Sequence, residues 1–134
     1  MENEQAKSKH EVAIRITMMP RDTNSHGTVF GGIIWSYIDV AGGGEAVRKT
    51  GHDRLVTVAM KELILHEPVF IGDLVSFYAE TIKIGNTSIV IKVVVEAERF
   101  GSHNQNAVRV TEAEVIYVAI NQYREKVQIG KENQ

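Results

Sequence analysis

Between Gly31 and Gly44 the run GGIIWSYIDVAGGG carries a single charged side chain, Asp39. The run is about as long as a core helix and shorter than the roughly 20 apolar residues that span a bilayer. As a helix it is hydrophobic nearly all round, so it must be buried by the sheet that the rest of the chain can supply. A carboxylate in that setting is costly unless it is paired, hydrogen-bonded or protonated. Two readings of Asp39 follow. It is a functional carboxylate, or it is half of a structural ion pair with Arg48, Arg54 or Lys61.

The helix is expected over 31–49, closed by Thr50-Gly51. Gly42, Gly43 and Gly44 each cost about 1 kcal/mol relative to alanine. A triple glycine so late in a helix implies close backbone approach, to the sheet or to a partner helix. Upstream, Val12, Ile14 and Ile16 alternate with Ala13, Arg15 and Thr17, the period of a half-buried strand over 11–18. Pro20 ends it, and Asp22, Thr23, Asn24 and Ser25 favour turns in the loop 21–28. Downstream the period is two throughout. Strands are expected over 55–65, 74–84, 87–98 and 107–120, with a turn at Gly72-Asp73 and a loop over 100–106. Gly85-Asn86 reads as a two-residue hairpin connection. The folded domain is expected to span 10–123, with flexible tails over 1–9 and 124–134.

One strand, one long helix and four antiparallel strands make an α+β domain, the single helix lying against a curved sheet of about five strands. An open sheet leaves two long edges that must be covered or paired, which points to a homo-oligomer. The 134 residues suit one core. Lys+Arg number 15 against 17 Asp+Glu, and their scatter gives no footprint for nucleic acid. The absence of cysteine removes disulfide and thiolate chemistry. His10, His26, His52, His66 and His103 form no i,i+4 pair, so no metal site is expected. The polar N-terminus has no apolar core of the signal-peptide kind, and a cytoplasmic protein without membrane association is expected.

This order of elements, together with DTNSHGTVFGGIIWSYIDVAGG, resembles the hot-dog fold acyl-CoA thioesterases, in particular the YciA-like subgroup. MMPRDTN, FGG, RLVTVAMKELILHEPVFIGDLVSFYAE and KIGNTSIVIKVVVEAE extend the likeness over roughly residues 10 to 120. The resemblance implies hydrolysis of acyl-CoA to free acid and CoA, without a cofactor, at the interface of a dimer whose sheets join edge to edge. The dimer is then the minimal active unit, with a hexamer (a trimer of dimers) among the larger assemblies. Carried over by position, Asp39 is the general base or nucleophile, and Gly31 supplies the amide that contacts the thioester carbonyl. Asn24 is the loop asparagine that faces the acid of the other subunit.

The chemistry of these residues agrees. Free amides at a helix start, near Gly31 and Gly32, suit an oxyanion. Desolvation of Asp39 would make it a better base. FGG read alone also serves tight helix–sheet packing, and Asn24 read alone is a loop former. For the CoA tail, Arg54, Lys83 and the turn Gly85-Asn86-Thr87-Ser88 are candidates, since turn amides and hydroxyls can hold phosphate or pantetheine. A plain tight turn is the competing account. Trp35, Tyr37 and Met60 either line an acyl tunnel or belong to the core. Two rivals share the fold: a non-catalytic acyl-CoA sensor, which needs no buried base, and an enoyl-CoA hydratase or dehydratase. The latter wants Asp-x-Asn-Pro-x-His, whereas DTNSH here is one residue short and lacks proline, leaving His26 as a loop residue.

Overall fold

The structure, a computed structural model, describes residues 11–61, 64–100 and 107–129. Five strands and one long helix carry the architecture: β1 (Glu11–Thr17), α1 (Gly31–Thr50), β2 (Leu55–Lys61), β3 (Leu74–Ile84), β4 (Ser88–Glu98) and β5 (Val108–Ala119). A short 3-10 turn (Pro20–Asp22) lies between β1 and the helix. The strands form one antiparallel sheet in the order β1-β3-β4-β5-β2, so β1 and β2 are its edges. Bulges interrupt β1, β2, β3 and β5. Each adds local twist, and the sheet curls around the helix.

β4 is the middle strand and reads VVV because both its faces are covered: Val93, Val94 and Val95 are all buried. The core lies between this sheet and the inner face of α1, where Ile34, Ile38, Ala41 and Ala46 meet Val75, Phe77, Ile91 and Val115. Tyr37 packs its ring 5.5 Å from that of Phe77. The helix ends as expected at Gly51, which takes the left-handed conformation (φ 74°) that glycine adopts without strain.

Four expectations need correcting. The helix is buried on one face, not all round: Trp35 (46%), Val40 (63%) and Val47 (43%) are exposed in the protomer. One sheet can cover only one side of a cylinder. β2 ends at Lys61 rather than 65, and Ile64 and Leu65 lie outside the strand. The hairpin tip is Asn86-Thr87, closed by the Gly85 N–H donating to the Ser88 carbonyl at 2.8 Å. The bulge between Thr81 and Lys83 shifts the register by one, and no residue of this turn has positive φ.

The fourth concerns the C-terminus. Residues 124–129 are not a free tail. Val127 donates to the Ala119 carbonyl (3.0 Å) and Ile129 to the Asn86 carbonyl (2.7 Å). Ile129 is 2% exposed and belongs to the core. Residues 1–9 and 130–134 lie outside the described residues.

Candidate active site

The loop before the helix is built from the turn-forming residues of its sequence. Asp22 accepts the Met19 N–H (2.8 Å) through its carboxylate. Its main-chain carbonyl takes the Phe30 N–H (3.0 Å). Asn24 organises the residues between: its Oδ1 accepts the His26 N–H (2.8 Å) and the Thr28 N–H (3.3 Å). Its Nδ2 donates to Thr28 Oγ1 (3.0 Å). Within one protomer Asn24 is therefore the loop former, its side-chain hydrogen bonds among the described residues all going to His26 and Thr28. His26 is exposed on the same loop.

This loop delivers the chain to Phe30, whose side chain provides no cap for α1. Among the described residues, the amides of Gly31 and Gly32 have no acceptor. They occupy the first two helical positions, where donors are left over and the helix dipole is positive. Beside Gly31 lies a cleft of about 290 Å³ lined by Val29, Ile34, Leu65 and Val69 among others. A Cβ on Gly31 would meet Leu65 Cδ1 at 3.3 Å, whereas one on Gly32 meets nothing within 4 Å.

Asp39 lies two helical turns on, half-buried at the border between the packed face and the exposed one. None of the cations considered as its partner pairs with it. Arg48 instead binds Glu11 (2.6 Å) and reaches Glu45 (3.7 Å). Arg54 and Lys61 are exposed. The partners of Asp39 are two hydroxyls. Thr57 Oγ1 donates to Oδ1 at 2.6 Å. The Tyr117 hydroxyl donates to the Asp39 main-chain carbonyl at 2.8 Å and lies 3.2 Å from Oδ1. Thr57 and Tyr117 are cross-strand neighbours on β2 and β5. Burial, and then the charge and hydrogen bond of Asp39, hold the tyrosine hydroxyl far above its usual range. It stays a donor at every working pH.

Neither hydroxyl is conspicuous in the sequence. Thr57 is one polar position in an alternating strand, and Tyr117 sits in an apolar run. The only signal was the triple glycine. Gly42 and Gly43 lie against the Tyr117 ring, so the close approach is to the sheet; Gly44 meets nothing within 4 Å.

The other candidates are spread. Arg54 borders a groove of about 340 Å³ with His52, Asn121 and the exposed ring of Tyr123. Lys83 is exposed on β3, next to its bulge. In the turn, Gly85 spends its amide on Ser88, and the carbonyls of Asn86 and Thr87 accept from Ile129 and Ala119. Trp35 is exposed, while Tyr37 and Met60 pack against the core. Among the described residues there is no cluster that could hold a metal ion, and no helix long and apolar enough to cross a membrane.

Free amides at a helix start and a carboxylate two turns on are groups that acyl transfer to water can use. Comparison with known proteins agrees. Residues 26–99 match the family described as the thioesterase superfamily. The chain is 38% identical over 112 residues to the acyl-CoA thioester hydrolase YciA of Salmonella typhimurium, covering 83% of this chain and 84% of that one. In three dimensions it is similar to a hexameric hot-dog fold thioesterase of Campylobacter jejuni (41% identity, TM-score 0.82, 91% of this chain and 92% of that one). It is also similar to a hexameric broad-specificity acyl-coenzyme A thioesterase (34% identity, TM-score 0.84, 92% and 84%).

Proposed function

The chain belongs to the thioesterase superfamily and shares its hot-dog fold, and from this we propose that it hydrolyses acyl-CoA to the free acid and CoA. The observation that carries the mechanism is the environment of Asp39: a carboxylate with no cation, held by two hydroxyls beside an uncovered apolar helix face. A structural ion pair has no counterpart there.

In the proposed reaction the thioester carbonyl accepts from the amides of Gly31 and Gly32, which stabilise the tetrahedral oxyanion. Asp39 either takes a proton from an attacking water or attacks the carbonyl carbon itself. The C–S bond then breaks, the thiolate leaves and is protonated, and the acyl group departs as the acid. The mixed anhydride of the direct route would need a water to open it.

Eight residues separate Gly31 from Asp39, about 12 Å of helix axis at 1.5 Å per residue. Groups that far apart cannot both touch one carbonyl. We therefore assign the amides and the carboxylate of each site to different copies of the chain. Edge β2 carries Thr57 against Asp39, so a second copy pairing along β2 would lie nearest the carboxylate, and Asn24 of that copy would face it. The hexameric relatives support an assembly of such dimers. Arg54, Lys83 and the turn Gly85-Asn86-Thr87-Ser88 remain candidates for the CoA tail. A cytoplasmic location belongs to the same reading.

The test is free-thiol release from acyl-CoAs of increasing chain length by the wild-type chain and by Asp39→Asn. Release that depends on chain length and is lost in the variant is expected. Binding of CoA esters without any release would leave the sensor in its place.

A further inference from the structure

We propose that Tyr117 is a positioning residue that fixes which oxygen of Asp39 reacts, and that position 42 is glycine so that the tyrosine can reach it. The inference rests on Asp39 being the base or nucleophile.

A free aspartate carboxylate exchanges its two oxygens by rotation about a broad, two-fold torsion. Here the rotation is resisted. Thr57 bonds Oδ1 at 2.6 Å, and the Tyr117 hydroxyl stands 3.2 Å from the same oxygen. Among the described residues Oδ2 has no partner, which makes it the oxygen available to water or to the thioester carbon. Tyr117 differs from Thr57 in one respect. It also grips the main-chain carbonyl of Asp39 at 2.8 Å, so it ties the helix at that residue to β5 as well as restraining the side chain. The tyrosine is 2% exposed and has few other places to go.

The geometry leaves no room for a side chain opposite. A Cβ on Gly42 would lie 2.5 Å from the Tyr117 oxygen and 3.3 Å from two of its ring carbons. The first distance is a clash and the second a tight contact. Gly42 costs helix stability relative to alanine, and access for the hydroxyl is what that cost secures.

The experiment compares Tyr117→Phe, Gly42→Ala and the double variant, measuring kcat and KM for acyl-CoA hydrolysis and Tm in each. Tyr117→Phe should lower kcat roughly tenfold, the scale of one lost hydrogen bond, with KM within about twofold. Gly42→Ala should lower kcat similarly by displacing the hydroxyl. Gly42→Ala added to Tyr117→Phe should cost little further activity, because the oxygen it clashes with is already gone and only the 3.3 Å ring contacts remain. In an Asp39→Asn background Tyr117→Phe should change nothing more. Purely structural roles would instead lower Tm and leave kcat of the folded enzyme unmoved, which overturns the inference, as do additive losses in the double variant. Asp39→Asn inactive with Tyr117→Phe at full kcat removes this inference alone. Asp39→Asn with wild-type turnover removes the reading of Asp39 and this inference with it.

Discussion

Among the described residues Asp39 meets two hydroxyls and no cation: Thr57 donates to its carboxylate, and Tyr117 donates to its main-chain carbonyl. Thr57 and Tyr117 face each other across β2 and β5 and meet the same residue of the helix. Thr57→Val keeps the shape of the strand and removes the 2.6 Å bond, so kcat for thioester hydrolysis should fall by about tenfold or more. Tm should move by only a few degrees, since the residue is exposed at an edge; an unchanged kcat would show that Thr57 does not hold the carboxylate. At this scale the sequence was partly legible. An isolated carboxylate in an apolar run marks itself as costly, but the sequence left a structural ion pair open beside the functional reading. Its partners do not stand out, because a threonine in an alternating strand and a tyrosine in a buried one are ordinary residues until the register sets them opposite each other. From its residue type alone Asn24 was legible as a loop former, its place facing the acid of another subunit coming from the resemblance, and the Asx-type bonds to His26 and Thr28 are what a single protomer realises.

Elements were legible where punctuation and period agreed. The bounds expected for β3 are those found, because Gly72 turns the chain with φ 88° and the alternation starts at once. Gly51 closes α1 in the left-handed region, so Gly51→Ala should lower stability by about 1 kcal/mol, read as a Tm shift with activity retained. The C-terminal return was hidden by polarity. Arg124, Glu125 and Lys126 disguise Val127 and Ile129, whose alternation is that of an edge strand and whose backbone ties β5 to the β3–β4 turn. Ile129→Ala should cost about 2–5 kcal/mol in denaturant unfolding, as for other buried large-to-small changes; a frayed tail would show no loss. The hairpin was misplaced by one residue because a bulge inside β3 resets the register, and a bulge of this kind leaves no composition signal.

For the whole molecule, the exposed face of α1 is the informative discrepancy. The sequence makes the helix apolar all round, while the sheet covers one side and leaves Val40 and Val47 uncovered. A second copy laid against that face would resolve both the exposure and the 12 Å or so of helix axis that separates the Gly31 amide from Asp39. The proposed shared site can be tested with two inactive chains. Gly31→Pro removes the amide at the first helical position, where proline is tolerated, and leaves Asp39 intact. Asp39→Asn leaves the amide intact. Thiol release from acyl-CoA is measured for each variant alone and for a mixture refolded together. If amide and carboxylate come from different copies, each variant alone is nearly inactive, and random pairing restores about a quarter of wild-type activity, one intact site in half of the dimers. A mixture no more active than the variants alone, although mixed oligomers form, would contradict a site shared between two copies.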